Sequence, residues 1–459
     1  MKKLFLLLFL LAIGAGVYLW MQQGPPPQVT ILQPGDAMGR AGAIEIVVDT
    51  PGGELTRLDV LFEQGGERHP LFTLAQQTGT LEQETADRLR LQTPATRKEI
   101  PGLKSGEGRV VVNAARETLY GYRTLETTGT KDVRVQLEPP RVAVLSMHHY
   151  INHGGSEFVI FRVTPADAQA GVRVGDREYP GYPGSAVGIT DPAVRVAFYA
   201  LLHDQDLNTP MAVFAVDAAG NTGSAPIASR VFPKNFRRSR IEITDTFLQR
   251  VLPAILENTP AFSPAVENPD DLSAAFLEVN GNLRERNAQE IATYAAKSAE
   301  EMLWHGAFRQ LGGSQVESAF ADHRTYLYGG REIDRQVHLG FDLAVTAAVP
   351  ILAAARGRVL HASYLGIYGN TVILDHGLGV QSLYAHLSSI DVQPGDALDQ
   401  GDPLGRSGMT GLAGGDHLHF STMVNGRFVT PVEWWSPQWM EDRVLRKIRE
   451  AGGAVPGSR

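Results

Sequence analysis

The sequence predicts a mainly β protein with one helical segment: tandem β-sandwich-like modules, followed by a domain built on an antiparallel β-sheet. Three observations predict it. Short runs of β-branched and aromatic residues alternate with Gly and Pro clusters over roughly the first half of the 459-residue chain. A central stretch instead spaces its apolar residues at helical intervals. Past about residue 319 the strand pattern returns, now rich in histidine.

The elements follow in order. Lys2 and Lys3 precede an apolar run from Leu4 to Met21. At about 18 residues it lies between a signal-peptide core and a minimal membrane span. Tyr18, Leu19 and Trp20 close the run with no small-residue cleavage site after it; the one candidate, Gly14 to Gly16, lies inside. No Lys or Arg then appears until Arg40, so the charge bias places the short N-terminus in the cytoplasm. Residues 1–22 are read as an uncleaved single-pass inner-membrane anchor, with the bulk of the chain in the periplasm. Residues 23–28, with Pro25, Pro26 and Pro27, form a stiff spacer.

Residues 29–140 form the first sandwich-like module, with β-type runs at Ile44 to Val48, Leu58 to Phe62, Val110 to Val112 and Val133 to Leu137. Residues 141–233 form the second. It ends where Ala212 to Val216 runs into a Gly220-Asn221 turn. Residues 234–318 are a helical linker or regulatory segment. Phe247, Leu248, Val251, Leu252, Ile255 and Leu256 make an apolar stripe. Asn287 and Glu290 are spaced as an N-cap pair opening a helix towards Trp304. Placed just before the last domain, this segment is expected to cover its groove and control access. Residues 319–440 form the strand-rich domain and 441–459 a C-terminal tail.

Composition removes several function classes. A net charge of −8 argues against a nucleic-acid partner. With no cysteine there is no disulfide, no thiolate metal site and no thiol nucleophile. Any metal must be held by His, Asp or Glu.

The last domain supplies those residues. In His338-Leu339-Gly340-Phe341-Asp342, a strand would put His338 and Asp342 on one face, with Gly340 leaving room for an ion. In His417-Leu418-His419 both imidazoles again share a face. Two His and one carboxylate with an open position suit catalytic zinc, and also non-haem iron.

The region from about Tyr326 to Trp435 resembles the lysostaphin-type (LytM-like) zinc metallo-endopeptidases, which are peptidoglycan hydrolases. His338 to Asp342 matches the family's His-x-Gly-x-Asp motif. Pro350 to Ala354, Gly357-Arg358-Val359, Gly369 to Gly377, Leu383 to Leu387, Gly408 to Gly411 and His417 to Phe420 match successive segments. The resemblance covers about a quarter of the chain. It implies an antiparallel metallopeptidase sheet over 319–440 and an active Zn2+ endopeptidase that cuts peptide stems or cross-links of peptidoglycan. His338, Asp342 and His419 would be the metal ligands. His386 and His417 would be catalytic, with His417 favoured as general base and His386 as transition-state stabiliser. Tyr326 or Tyr328 would add an oxyanion donor. Two positions depart from the pattern: Asp416 stands where a Pro is usual, and Ser421 where an acidic residue is common.

Other histidines are read as structural. His376 turns away in its hairpin, His361 and His323 are surface or satisfied positions, and His148, His149 and His153 lie in a sandwich loop. The Gly-Asp turns at Gly395-Asp396 and Gly401-Asp402 resemble those of lipoyl carrier domains but offer no modifiable Lys. The sandwich modules would act as spacers or bind protein partners. The rival reading is a regulatory relative that binds and activates another cell-wall hydrolase. Such relatives have lost ligand positions that this chain keeps.

Overall fold

The computed structural model describes residues 24–51, 53–118, 121–268 and 271–454, with residues 9, 11, 13, 14 and 16 of the N-terminal run. The expected anchor over 1–22 therefore lies largely outside the described residues. Among those described, no helix is long and apolar enough to cross a membrane. The chain divides into two compact units, Met1–Pro140 with Val216–Gly223, and Arg141–Ala215 with Ser224–Arg459.

Two sheets make the first unit. One orders its strands Gln28–Gln33, Ala43–Asp49, Arg88–Pro94, Thr80–Thr85. The other runs Ala37–Met38, Arg123–Val135, Gly106–Thr118, Leu55–Gln64, Glu67–Thr73. Leu58, Val60 and Phe62 are buried, as are Val110, Val112 and Ala114. This is the period-two pattern of strands with one face in a core. Ile44, Ile46 and Val48 from the other sheet complete that core, each fully buried side chain contributing about 1.5–3 kcal/mol.

In the second unit the sandwich module, the helical segment and the last domain share one core. The module's strands Gly155–Thr164 and Val194–Leu201 pair antiparallel, and Phe198 on the latter meets two tryptophans. Its ring centroid lies 5.9 Å from Trp304 of the helical segment and 5.4 Å from Trp434 near the C-terminus. Glu433 is buried against the same module, accepting from Ser156 N at 2.7 Å and Asn152 Nδ2 at 2.7 Å. Three segments that read separately in the sequence are thus packed as one body.

The helical segment opens with a strand, Arg238–Ile243, paired parallel to Asp322–Tyr328. Helix Asp245–Glu257 follows, its end capped by Thr244, and the predicted stripe buries Leu248, Val251, Leu252 and Ile255. The next helix starts at Leu272, where the Asp271 side chain accepts from Ser273 N and Ala274 N. It runs on through Val279–Leu283 into Arg284–Thr293. Asn287 is therefore not an N-cap. It sits inside a helix, buried, with Oδ1 accepting from Ile367 N at 3.0 Å. A buried N–H in the loop at 366–368 needed an acceptor, and that demand outweighs the local capping preference.

The last domain is an antiparallel sheet ordered Gln315–Ser318, Phe341–Ala344, Leu418–Val424, Val380–Leu387, Asn370–Gly377, Gly357–Tyr364, Ala397–Leu398, with Arg427–Val429 paired to Leu418–Val424. Every residue of Leu418–Val424 and Val380–Leu387 is buried. Central strands covered on both faces lose the polar alternation of half-exposed ones. The register sets Asp342 opposite His419 and His419 opposite Ala385, which brings the chemistry to the middle of the sheet.

Candidate metal centre

His338 and Asp342 do not share a strand. His338 ends Arg331–His338, which belongs to the three-stranded sheet with Arg238–Ile243, while Asp342 lies on Phe341–Ala344 of the large sheet. The chain crosses between sheets at Leu339-Gly340, so the two side chains converge from separate elements. Gly340 also differs from expectation. A Cβ there would lie 2.5 Å from His419 Nε2 and 2.6 Å from Ser421 Oγ. The glycine makes room for the outer side of the His419 ring, not for an ion.

His338 Nε2, Asp342 Oδ1 and His419 Nδ1 form a triangle with edges of 2.9, 2.9 and 3.0 Å. Their outer partners fix the tautomers. His338 Nδ1 faces the Ala319 carbonyl at 3.2 Å, so that nitrogen carries the proton. Ser421 Oγ donates to Leu339 O at 2.9 Å and lies 3.0 Å from His419 Nε2, so it accepts the proton of that nitrogen. In the neutral rings the inward nitrogens are then bare. Three lone-pair atoms face one point inside a buried site, an arrangement that repels itself unless a cation sits among them. Arg324 Nη2 donates to the other carboxylate oxygen, Asp342 Oδ2, at 2.8 Å and so aims Oδ1 inward. Burial pushes the Asp342 carboxyl up, but His338, His417 and His419 together hold it well below the usual carboxylate range. Burial pulls His419 down to about 4.

Two further imidazoles face the triad. His386 sits at a bulge: Tyr384 pairs with Val372 and Leu387 with Asn370, leaving one residue extra on the His386 strand. Its φ is +63°, an uncommon conformation for a side-chain-bearing residue that re-aims the ring. Its Nδ1 lies 2.8 Å from Thr410 O, and that of His417 lies 2.9 Å from Gly415 O. A carbonyl only accepts, so both Nδ1 atoms carry hydrogen and both neutral rings offer a bare Nε2. The two ring centroids are 4.9 Å apart, and His417 Nε2 is 3.5 Å from Asp342 Oδ1. Burial, then the neighbouring His417 and His419, pull His386 well below its ordinary value. Burial opposes charge on His417 too, but the Asp342 carboxylate outweighs it and raises that ring. The five side chains line one cavity of about 510 Å³, walled on one side by Ile243, Phe247 and Phe276 of the helical segment.

Residues 336–431 match the family model described as Peptidase family M23. The chain carries a Peptidase family M23 domain. An uncharacterized metalloprotease of Haemophilus influenzae is 36% identical over 120 residues, 26% of this chain and 25% of that protein. The DD-carboxypeptidase/endopeptidase Mpg of Neisseria meningitidis is 38% identical over 97 residues, 21% and 22% of the two chains. The peptidoglycan DD-endopeptidase ShyA of Vibrio cholerae is 34% identical over 159 residues, 35% and 34% of the two chains. The chain thus spans between a fifth and about a third of the length of these curated relatives.

The remaining histidines of the M23 domain are engaged elsewhere. His376 is fully buried, with Nδ1 2.7 Å from Arg356 O and Nε2 2.8 Å from Ser382 Oγ. His361 faces the Tyr294 hydroxyl at 2.9 Å. Tyr328 donates its hydroxyl to Asp245 Oδ1 at 2.6 Å, which commits it to the helical segment, whereas Tyr326 lines the cavity. Sequence reasoning missed Arg324, which no motif flags. It also treated Ser421 as a mere departure from pattern. A hydroxyl two residues after a strand histidine shares its face, and that spacing was the available signal.

Proposed function

We propose that the M23 domain is a zinc-dependent endopeptidase that hydrolyses peptide stems or cross-links of bacterial peptidoglycan. The observation that carries this reading is the convergence of three bare acceptor atoms beside two imidazoles whose Nε2 atoms face the same cavity. The donor set fits zinc. Edges of 2.9–3.0 Å approach the roughly 3.3 Å separation of ligands around a tetrahedral ion bound at about 2.0 Å. Two His and one carboxylate leave a position open. When bound, zinc supplies Lewis acidity, polarising a scissile carbonyl and lowering the pKa of a water to roughly 7.

The chain's own residues do the rest. Arg324 and Ser421 orient Asp342 and His419. His417 is the general base: its bare Nε2 accepts the proton of the attacking water, and the carboxylate of Asp342, 3.5 Å away, favours the charged ring. It then hands that proton to the leaving amine. His386 has its only hydrogen on Nδ1, committed to Thr410, so the neutral ring cannot donate to an oxyanion. It orients the water by accepting from it. This alters the role expected of His386 from transition-state stabiliser to positioning of the nucleophile.

Peptidoglycan as substrate is supported by the name of one relative, the peptidoglycan DD-endopeptidase ShyA, and endopeptidase activity also by the name of Mpg, over the aligned region alone. The basic, apolar N-terminal run supports inner-membrane anchoring with the M23 domain in the periplasm, and the sandwich modules as spacers. Retention of both imidazoles and of all three acceptors speaks against the non-catalytic, activator reading. Purified full-length protein incubated with isolated peptidoglycan tests the proposal, with products read by mass spectrometry. Metal-dependent peptide release, abolished by a chelator and by His419→Ala, is expected. No release from folded, zinc-loaded protein would overturn it.

A further inference from the structure

Both imidazoles beyond the triad hang from one loop, residues 408–416, but its two halves are secured differently. Thr410, whose carbonyl holds His386, is fixed from the sheet. Its hydroxyl donates to Leu387 O and accepts from Asn370 N, each at 2.9 Å. Leu412 N donates to Ile367 O at 2.8 Å. At the far end Asp416 accepts from Ser407 Oγ at 2.6 Å and from Ala348 N at 3.1 Å. Between them lie Ala413, Gly414 and Gly415, the last of which holds His417. Ala413 is buried, but a Cβ on either glycine would meet nothing within 4 Å, so side-chain packing holds the arm at Ala413 and not at Gly414 or Gly415.

One side chain grips it from outside. Arg250, on helix Asp245–Glu257, places Nη2 2.9 Å from Ala413 O and 3.2 Å from Gly414 O, and Nη1 3.0 Å from Met409 Sδ. The helix that carries it is itself anchored, by buried Leu248, Val251 and Leu252 and by the Tyr328–Asp245 bond. A planar guanidinium reaching two successive carbonyls restrains both the position and the orientation of the backbone.

We infer that Arg250 is a positioning residue for His417: by clamping the 413–415 arm it keeps Gly415 O where it must be for His417 Nε2 to face the metal triad. This rests on the catalytic role proposed for His417 and extends the working site into the helical segment. That segment is then a brace as well as a wall of the cavity. His386 is the internal control, because Thr410 is held without Arg250.

The test compares wild type, Arg250→Ala and Arg250→Lys as zinc-reconstituted full-length proteins. The first readout needs no substrate: the imidazole N–H resonances of His417 and His386 in protein labelled with nitrogen-15 at histidine. In Arg250→Ala the His417 Nδ1–H signal is expected to shift or broaden while that of His386 and the bound metal stay unchanged. Peptide release should show kcat lowered about tenfold or more with little change in KM, since misplacing a proton acceptor acts on the chemical step. Arg250→Lys, which keeps a donor within reach of the carbonyls, should recover part of both. An unmoved His417 signal, an unchanged kcat, or loss of both imidazole signals together would overturn the inference. A wild type that releases no peptide would overturn the peptidase reading instead, and the resonances would still decide the clamp.

Discussion

The second unit buries two clusters of titratable side chains, and they settle their charges in opposite ways. Around Glu157, every group is paired: Lys447 Nζ donates to Glu157 Oε1 and to Phe158 O, each at 2.8 Å, and Glu157 Oε2 accepts from Tyr150 N at 2.9 Å. Burial pushes Glu157 up and Lys447 down, and their mutual attraction opposes both shifts. Around Asp342, three acceptors face one another with their protons turned outward. Depth of burial is the same in kind for both. What separates a site from a structural tie is whether the lone pairs are answered within the protein. The Glu157 cluster fastens helix Arg446–Glu450, within the stretch expected as a C-terminal tail, to the second sandwich module. The Asp342 cluster leaves three lone-pair atoms that a cation would answer.

That contrast can be broken by substitution, and the largest effect belongs to the triad. Asp342→Asn removes the one carboxylate of the proposed ligand set and should lower peptide release at least about ten-thousandfold, some 5 kcal/mol in the barrier, with folding retained by circular dichroism. Lys447→Met should do the reverse. It leaves Glu157 buried without its partner, costing about 3–5 kcal/mol of unfolding free energy, while metal content stays at the wild-type level. Loss of metal in that variant would show that the clusters are not independent.

Glu433 gives the contrast a pH dependence. Burial raises its carboxyl from 4.5 to about 7, against the bonds from Asn152 and Ser156. The unfolded carboxyl ionises above pH 4.5 while the folded one keeps its proton to about pH 7. Stability should therefore fall as pH rises through that window and level off above it, by a total of about 3 kcal/mol. Denaturant titrations at pH 5 and 7.5 should show most of this drop in wild type and none of it in Glu433→Gln; an equal drop in both would assign it elsewhere. The smallest effect is expected from Ser421→Ala, which frees the outer nitrogen of His419. Metal affinity should weaken about 10–100-fold, read by competition with a chromophoric chelator, with the fold intact.

The sequence exposed whatever repeats at short range. Alternation in Leu58 to Phe62 and the stripe from Leu248 to Ile255 state their structure directly, because burial follows the period of the backbone. The five residues that line the cavity beside one another were legible as candidates because each sits in a short motif. Their assembly was not. That His338 and Asp342 come from different sheets depends on a crossing at Gly340 that no local pattern encodes. The re-aimed His386 arises from a one-residue mismatch between two strands. Asn287 looks like a cap and serves instead as an acceptor for a loop about 80 residues away in sequence. Nor does any spacing announce that Phe198, Trp304 and Trp434 join three segments into one core.

Whether His338, Asp342 and His419 together hold one metal ion is decided by metal analysis of the full-length protein after chelation and reconstitution with zinc. One zinc per wild-type and per Lys447→Met chain is expected, and none in His419→Ala or Asp342→Asn. A folded wild type that takes up no metal, or a His419→Ala variant that keeps its zinc, would contradict it.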